Sequence, residues 1–377
     1  MTGKHERIIA NTHVLLYPML ARYTASMSVS ESQRQTYLNH ARDITDAERA
    51  KIDEFAAWLP PAIIDAHAHS NLPEHVLEVP PKAYNHMLST FPSFSIEESR
   101  SLQADFYPGV QVRTLRFAKT FKGIAHAAAN AYLLDNLTED DRMALYGLPD
   151  DIPYTIDMLQ DPRVSGLKMY YSYLDPSATN IYEIFKPEIL EAAQMNGVPI
   201  ILHTPKMITE SADDVLNMTR DFPDLKVSVA HLGSSKFDVP ELQDAYDKLA
   251  DGTDVSMDTA LNPSPEVIKR ALDTFGPERI MFGSDEPLNL LRSVPYIHPE
   301  HGQRITTSQR YHWQDPAEHA EYGHLADGAL HSHWLCLDAL KKVIDALPED
   351  TQESVKQKIF HDNAESLFGF DSSTEVE

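Results

Sequence analysis

The sequence predicts an α/β protein built as a (β/α)8 TIM barrel with additional segments, and three observations lead to that fold class. From residue 62 onward, short apolar runs alternate with amphipathic helical stretches, which is the chain order of a parallel sheet. Polar residues that end these runs recur at the spacing of β/α units: His231 follows His203 by 28 residues, and Asp285 follows His231 by 54. The length of 377 residues accommodates one such barrel with extra segments.

Residues 1–61 are predicted to form an N-terminal helical extension that packs beside the barrel. The clearest helix spans residues 45–58, because Asp46 and Glu48 lie near its start and Pro60-Pro61 follow its end. Acidic residues favour the first turn of a helix, and proline cannot continue one. The barrel domain is therefore expected to cover residues 62–377.

The predicted strands are short apolar runs, most of which end in a polar residue. They cover residues 63–69, 110–117, 143–146, 166–170, 198–203, 226–231, 254–258 and 279–285. The helices between them carry their own boundary signals. Ser264 and Pro265 are typical of the start of a helix that ends before Gly276, and Ser211 with Asp214 has the pattern of a capping box.

The segment 286–333 is predicted to be an inserted loop or lid after strand 8, followed by a helix at about residues 332–347. It shows no strand alternation, and a loop of this length in a compact domain is usually functional or disordered. Arg292 and Arg304 are expected to be exposed rather than paired with a substrate carboxylate. Its histidines are expected mostly at the surface or in the lid, with substrate contact by some of them, such as His324 or His331, as the alternative. They are His298, His301, His312, His319, His324, His331 and His333.

Composition and charge exclude several classes of protein. The formal net charge of −25 argues against nucleic acid or an anionic membrane as a partner. The single cysteine, Cys336, excludes an internal disulfide framework and a cysteine-based zinc site, and its apolar helical surroundings predict a buried thiol. The N-terminal residues lack a signal-peptide pattern, and no apolar stretch is long enough to span a bilayer. A cytoplasmic location is therefore expected.

Candidate metal ligands lie at the ends of the predicted strands. His67 and His69 are two residues apart on strand 1, so both imidazoles project from the same face. His203, His231 and Asp285 end strands 5, 6 and 8, and the carboxyl ends of barrel strands form one rim. Histidines and a carboxylate on one rim are the composition of a zinc or other divalent metal site with an open position for water. A bound metal lowers the pKa of that water to about 7 and polarises a substrate carbonyl.

Taken together, these motifs resemble those of the amidohydrolase superfamily. The sequence is most similar to its amidohydrolase-related branch, which includes aminocarboxymuconate-semialdehyde decarboxylase and dicarboxylate lactonases. The resemblance runs from about residue 62 to residue 370. The segments that carry it are Asp65-Ala66-His67-Ala68-His69, Leu202-His203-Thr204, Ala230-His231-Leu232-Gly233, Phe282-Gly283-Ser284-Asp285 and the closing run from Phe360 to Gly369.

The resemblance implies a role for each candidate residue. His67, His69, His203 and Asp285 would bind one divalent metal ion, with Zn²⁺ expected and Mn²⁺ or another divalent ion as alternatives. Asp285 would also accept a proton from metal-bound water, and His231 would orient the substrate or act as an acid or base. Lys168 would contact substrate or a nearby carboxylate; the alternative is a carboxylated Lys168 that bridges two metals.

Five further residues near these strand ends have supporting roles in the prediction, each with a structural alternative. Asp65 is expected to orient a neighbouring ligand or loop, with a strand-end cap as the alternative. Glu286 either supports the site in the same way or simply begins the loop. Tyr170, Tyr171 and Tyr173 either line the barrel mouth or pack under a loop.

Two enzymatic functions and one non-enzymatic function fit these motifs. The first is a metal-dependent hydrolase that opens a C–N or C–O bond of a small amide, lactone or ester. The second is a metal-dependent decarboxylase of a small aromatic or muconate-like carboxylic acid. His67 favours hydrolysis slightly, since many related decarboxylases carry glutamate at that position. A metal-binding barrel without turnover is disfavoured, because Asp285 and His231 are retained. The expected partner is a small-molecule substrate, and a homodimer is common among barrels of this kind.

Overall fold

The computed structural model describes residues 39, 42–77, 93–120, 123–170, 178–310 and 314–370. Eight parallel strands follow one another around a single sheet in the order β1 to β8, so the predicted (β/α)8 barrel is confirmed. They are β1 Ala62–His69, β2 Gln111–Phe117, β3 Asp141–Tyr146, β4 Val164–Met169, β5 Ile200–Leu202, β6 Val227–Val229, β7 Ser256–Asp258 and β8 Ile280–Met281.

Hydrogen bonds between β1 and the residues after β8 bring the two ends of the sheet together. The Ala66 amide donates to the Phe282 carbonyl at 3.0 Å, and the Asp285 amide donates to the His67 carbonyl at 2.8 Å. The His69 amide then donates to the Glu286 carbonyl at 2.7 Å. Asp285 is thereby held beside the two histidines of β1, at the carboxyl end of the barrel.

A β-bulge near the end of β1 turns its histidines into the barrel mouth. The register of β1 against β2 shifts between Asp65 and Ala68. Ala66 packs in the barrel interior, yet the next side chain, His67, also faces inward: its ring centroid lies 5.0 Å from that of Phe117. A bulge re-aims side chains in this way because its extra residue interrupts strand alternation.

Helices connect the strands and cover the outside of the barrel. They are Asp46–Trp58, Ile96–Phe106, His126–Asn136, Ile152–Met158, Ile181–Ile184, Pro187–Met195, Ile208–Asp221, Glu241–Gly252, Pro265–Phe275, Pro316–Tyr322, Ser332–Asp345, Glu349–Gln357 and Asn363–Phe368. Cys336 lies in the helix Ser332–Asp345 and is buried, as predicted. No helix within the described ranges is long and apolar enough to cross a membrane.

The helix boundaries confirm one of the two capping predictions, the one for Ser264. Thr45 caps Asp46–Trp58 with Glu48 in a complete capping box, and Ser264 caps Pro265–Phe275. The prediction for Ser211 is wrong, because that helix already begins at Ile208. Ser211 lies inside the helix, where its hydroxyl donates 3.3 Å to the Lys206 carbonyl.

The C-terminal segment closes the amino end of the barrel. Phe368 and Phe370 pack in the same interior cluster as side chains of β1, β2 and β8. Two arginines fix this plug: the guanidinium groups of Arg113 and Arg142 lie 4.8 and 5.2 Å from the Phe370 ring centroid. Both also donate to the Phe370 carbonyl. The barrel interior is therefore a filled core that leaves the opposite, carboxyl end for a site.

The segment 286–333 contains regular structure, so the expected absence of strands there is wrong. Strands β9 (Ser293–His298) and β10 (Gly302–Thr307) form an antiparallel hairpin, and Pro316–Tyr322 is helical. Most hairpin residues are half buried or exposed, and weak alternation in a partly exposed hairpin gives little sequence signal. The role of this segment as a lid stays a prediction.

A buried ion-pair cluster ties the N-terminal helix to this insertion, and it corrects the expectation that Arg292 is exposed. Arg292 makes a bidentate pair with the Glu48 carboxylate, with N–O distances of 2.9 and 3.1 Å. The His331 amide donates to the same carboxylate at 3.0 Å. All three side chains are buried, so His331 is a structural residue rather than a surface one. His333 is also buried, with its Nε2 2.9 Å from the Tyr107 hydroxyl.

We predict that Glu48→Gln lowers the free energy of unfolding by about 3 kcal/mol, because it leaves the Arg292 guanidinium buried without its counter-charge. Urea titration followed by circular dichroism measures the change. Lys269→Met is the matched control: it removes an exposed pair with Asp273, and its effect should stay below about 1 kcal/mol. Equal effects of the two substitutions would contradict the structural role of the cluster.

The Glu48 ion pair also predicts that the stability effect of Glu48→Gln depends on pH. The His331 and Thr45 contacts outweigh burial and lower the pKa of Glu48 below its ordinary value of 4.5. The stabilisation by Glu48 is therefore complete above pH 4.5 and is lost as pH falls towards the lowered folded pKa. The difference in unfolding free energy between wild type and Glu48→Gln should shrink below pH 4.5. A constant difference from pH 7 to pH 3 would contradict the pairing.

Candidate metal centre

The predicted site residues lie at the carboxyl ends of their strands. His67 and His69 end β1, and Lys168 is the second-last residue of β4. His203, His231 and Asp285 follow β5, β6 and β8 within a few residues. Since the strands are parallel, these side chains share one rim of the barrel.

His67, His69 and Asp285 form the tightest group on this rim. One ligand atom from each lies within 4.8 Å of the other two, and all three side chains are buried. Oδ1 of Asp285 is 3.0 Å from Nε2 of His69 and 3.5 Å from Nε2 of His67. The two rings of the His-x-His pair stand side by side, with centroids 5.6 Å apart.

Hydrogen bonds at the other ring nitrogens fix which atoms face the centre. Nδ1 of His69 lies 3.1 Å from the Ala118 carbonyl, and Nδ1 of His67 lies 2.9 Å from Oδ2 of Asp258. A carbonyl or carboxylate oxygen only accepts, so each Nδ1 carries a proton. In the neutral imidazole, each Nε2 therefore directs a lone pair towards Asp285, which is the arrangement seen in metal-ligating histidines.

A positive charge between the members of this group would stabilise it. Burial lowers the pKa of both His67 and His69, which favours the neutral rings. Burial raises the pKa of Asp285, but a hydrogen bond from His69 and the charge of the neighbouring imidazoles outweigh it and lower that pKa, an effect that needs a proton on those rings. A carboxylate and a neutral imidazole lone pair repel at 3.0 Å unless a proton or cation lies between them. Two nitrogen donors and one oxygen donor fit a zinc-like divalent ion.

Asp258 is a site residue that the sequence analysis did not identify. Its Oδ2 accepts from Nδ1 of His67, and its Oδ1 accepts from the amides of His231 and Ala260 at 2.8 and 3.1 Å. Burial raises its pKa, but His67 and His231 outweigh burial and lower the pKa to about 2. The signal was present, because Asp258 ends predicted strand 7 just as the assigned residues end theirs.

His231 lies against the same centre as a neutral base. Its ring centroid is 4.7 Å from that of His67, and Nδ1 lies 3.0 Å from the Ala260 carbonyl. Nδ1 therefore carries the proton and Nε2 the lone pair. Burial and the neighbouring His67 lower the pKa of His231 to about 4, so the ring is uncharged at neutral pH. Its φ of 57° is in the left-handed region, which is uncommon for non-glycine residues and frequent at functional sites.

His203 is not brought into the His67–His69–Asp285 group within the described part of the chain. Its Nε2 lies 2.9 Å from the Tyr170 hydroxyl, and the two rings stack with centroids 4.3 Å apart. The His203 and His231 ring centroids are 5.1 Å apart, so His203 borders the site at one side. Of the three mouth tyrosines, Tyr170 thus contacts a site residue, whereas Tyr171 and Tyr173 lie outside the described residues.

Lys168 is buried at the bottom of the site. Its Nζ lies 3.5 Å from Nε2 of His67 and 5.1 Å from the Phe117 ring centroid. Burial lowers the pKa of Lys168 to about 8, while Asp258 and Asp285 oppose that shift. The ammonium therefore places positive charge directly beside the candidate ligands.

A layer of buried residues behind the ligands holds them in place. Asp65 accepts from the amides of His67 and Ser284 at 3.1 and 2.9 Å, and also from the Ser284 hydroxyl. Glu286 accepts from the Ser99 hydroxyl, so it is part of this layer rather than the start of a solvated loop. Gly283 allows the close packing, because a Cβ there would lie 2.9 Å from Cβ of His67.

Eight parallel strands with imidazoles and a carboxylate on their carboxyl rim define a (β/α)8-barrel enzyme with a candidate metal centre. A family model described as "Amidohydrolase" matches residues 64–370. The protein therefore belongs to the amidohydrolase family, and the resemblance read from the motifs is confirmed. Members of this family typically bind a divalent metal ion.

Solved structures with the same fold are distant in sequence. An amidohydrolase from Burkholderia multivorans with bound zinc is 12% identical, with a TM-score of 0.53 over 82% of this chain and 99% of that chain. A probable 2-pyrone-4,6-dicarboxylic acid hydrolase from Acinetobacter baumannii is 14% identical, with a TM-score of 0.50 over 81% and 99% of the two chains. IDCase from Metarhizium anisopliae is also 14% identical, with a TM-score of 0.52 over 84% and 99%. These likenesses show the fold alone.

No curated protein matches the sequence significantly.

We predict that Asp258→Asn weakens zinc binding by about 10- to 100-fold, because it removes the acceptor that orients His67. Equilibrium dialysis against zinc measures the dissociation constant without reference to any substrate. Asp254→Asn is the matched control, since Asp254 lies just before the same strand and is exposed. Identical zinc affinities for the two variants would contradict the positioning role of Asp258.

Proposed function

We propose that this protein is a metal-dependent hydrolase that opens a C–N or C–O bond of a small amide, lactone or ester. The observation that carries the proposal is the convergence of the two Nε2 lone pairs of His67 and His69 on the Asp285 carboxylate. Family membership supports an enzyme of the amidohydrolase superfamily, and the remaining steps rest on the residues of the rim.

His67, His69 and Asp285 would hold one divalent ion, with Zn²⁺ as the expected metal. Such an ion polarises a substrate carbonyl and acidifies the water bound to it. His203 completes the proposed ligand set, although its Nε2 contacts the Tyr170 hydroxyl and would have to exchange that contact. Asp258 and the Ala118 carbonyl keep the two β1 rings in the tautomer that presents Nε2.

Proton transfer is assigned to Asp285 and His231. Oδ1 of Asp285 faces the histidines, and the Asp285 carboxylate would accept a proton from the attacking water. His231 is uncharged at neutral pH and carries its lone pair on Nε2, so it would orient the substrate or act as acid or base. Lys168, unmodified, would neutralise negative charge that develops on the substrate beside His67.

A metal-dependent decarboxylase of a small aromatic or muconate-like acid is the second candidate. The buried Lys168 favours it, because an ammonium 3.5 Å from His67 would bind a substrate carboxylate close to the ligands. The same His67, His69 and Asp285 ligands serve both reactions.

We predict that the purified protein carries about one equivalent of zinc, manganese or a similar ion, and that Asp285→Asn lowers turnover at least about 100-fold. Elemental analysis and steady-state rates are the measurements, with thermal melting as the check that the variant folds. Asp327→Asn, an exposed carboxylate in the insertion, is the control that should keep full activity. Full activity in a metal-free protein, or in Asp285→Asn, would contradict the proposal.

The reaction type is tested on a panel of lactones, N-acyl compounds and aromatic carboxylates. A hydrolase releases acid from a lactone or ester, which a pH-stat records, and produces no carbon dioxide. A decarboxylase evolves carbon dioxide from a carboxylate, which a coupled assay records. Carbon dioxide release with no hydrolysis of any panel member would replace the first candidate with the second.

A further inference from the structure

A chain of hydrogen-bonded polar side chains runs along the outside of the barrel wall, behind the candidate metal centre. All of its members are buried, at 8% exposure or less. They are Asp141, Arg116, Ser99, Gln103 and Glu286. Polar groups at this depth cost free energy unless each finds a partner. The chain begins at the first residue of β3 and ends at the residue directly after Asp285.

The alternation of β2 places Arg116 and the metal centre on opposite faces of the same strand. Phe117 faces the barrel interior, where its ring centroid lies 4.5 Å from that of His69. Successive side chains of a strand point to opposite faces, so Arg116 points outward, against the helix Ile96–Phe106. Ser99 and Gln103 are about one turn apart on that helix and therefore share the face that covers the strand.

Arg116 fixes the direction of the hydrogen bonds in this chain. Its Nε donates to Oδ1 of Asp141 at 2.5 Å, and its Nη1 donates to Oγ of Ser99 at 2.8 Å. A guanidinium has no acceptor, so the Ser99 oxygen must accept from it. The hydroxyl proton of Ser99 is therefore directed to Oε2 of Glu286, which accepts it. Nε2 of Gln103 donates to the same oxygen at 3.3 Å.

Asp141 anchors the far end of the chain. Its carboxylate accepts from the amide and hydroxyl of Thr138 at 3.2 and 3.0 Å, and it also pairs with Arg100. Burial raises the pKa of Asp141, but Arg116 and Arg100 outweigh burial and lower that pKa. The carboxylate is therefore charged at neutral pH and holds Arg116 in place from a point outside the site.

Glu286 connects this chain to the segment that carries Asp285. Its amide donates to the Ser284 hydroxyl at 3.0 Å, and its carbonyl accepts from the His69 amide at 2.7 Å. The preceding residue, Asp285, has a φ of 60°, a left-handed conformation that persists in a non-glycine residue only where the surrounding structure holds it. A side chain fixed on the outer face of the wall thus holds the backbone that presents the Asp285 carboxylate.

We propose that Arg116 and Ser99 are positioning residues for the Asp285 carboxylate and that they act through the side chain of Glu286. The proposal deepens the proposed function and rests on it, because it takes Asp285 to be a metal ligand and proton acceptor. It also gives the helix Ile96–Phe106, which carries no predicted site residue, a part in the geometry of the centre.

Ser99→Ala tests the chain with little disturbance of the fold. It removes the hydroxyl through which Arg116 and Glu286 are connected, and we expect the zinc affinity of the full chain to fall about tenfold. Equilibrium dialysis measures the dissociation constant. The visible absorption spectrum of the Co²⁺-loaded chain reports on ligand geometry, and we expect its bands to shift in the same variant.

Arg116→Met and Arg113→Met form a matched pair on one strand. Each removes an arginine of β2 that pairs with a carboxylate, Asp141 in the first case and Glu365 in the second. Arg113 lies at the amino end of the barrel, away from the centre. Both variants should lower the melting temperature, but only Arg116→Met should weaken zinc binding and change the cobalt spectrum.

The combination of Ser99→Ala with Glu286→Met tests whether Ser99 acts through Glu286. If it does, the double variant binds zinc no more weakly than the weaker of the two single variants. Single losses that multiply in the double variant would overturn the proposal.

The remaining outcomes separate this proposal from the proposed function. Wild-type zinc affinity and cobalt spectrum in Ser99→Ala, or equal changes in Arg113→Met and Arg116→Met, would overturn the positioning role and leave the metal centre intact. A wild-type chain that binds no zinc would overturn the proposed function and this inference with it. Weakened zinc binding in Ser99→Ala and Arg116→Met, with Arg113→Met like wild type, would support the proposal for a hydrolase or a decarboxylase.

Discussion

Closure of the barrel is the constraint on which the rest of the structure depends. The Asp285 amide reaches the His67 carbonyl, and the His69 amide reaches the Glu286 carbonyl. These backbone bonds set the distance between the Asp285 carboxylate and the two imidazoles before any side chain adjusts. The bulge in β1 adds the orientation, because it turns His67 inward directly after the inward-facing Ala66. A closed sheet thus converts two distant segments into one rigid ligand set, which is the preorganisation that metal sites need.

The site is held by contacts that lie one layer behind its ligands. Asp258 binds the His67 ring with one carboxylate oxygen and the His231 amide with the other, so a single side chain positions a candidate ligand and a candidate base. Asp65 likewise accepts from two backbone amides, that of His67 in β1 and that of Ser284 after β8. Both carboxylates are buried, where an unpaired charge would be costly. Their hydrogen-bonding therefore ties the stability of the barrel rim to the geometry of the centre.

The sequence was sufficient for the barrel because β/α spacing and apolar runs are local patterns. It also placed His67, His69, His231 and Asp285 on one rim, since strand ends converge in any parallel barrel. The sequence did not predict contacts between residues that lie far apart along the chain. In the sequence Arg292 resembles a surface arginine, because its partner Glu48 lies 244 residues away along the chain. Asp258 was missed because its strand carries no histidine, and the Tyr170 contact of His203 depends on ring stacking that no spacing encodes.

The hydrogen bonds that close the barrel also have a consequence for synthesis of the chain. Asp65 binds Ser284, 219 residues later, and the Phe368–Phe370 plug is made later still. At roughly 5–20 residues per second, a ribosome needs about 11 to 44 s to extend the chain from the first of these partners to the second. During that time β1 has an unpaired edge that its eventual neighbour cannot yet cover, and such edges pair readily with other chains. The edge of β1 therefore stays open to such pairing until the last β/α unit emerges.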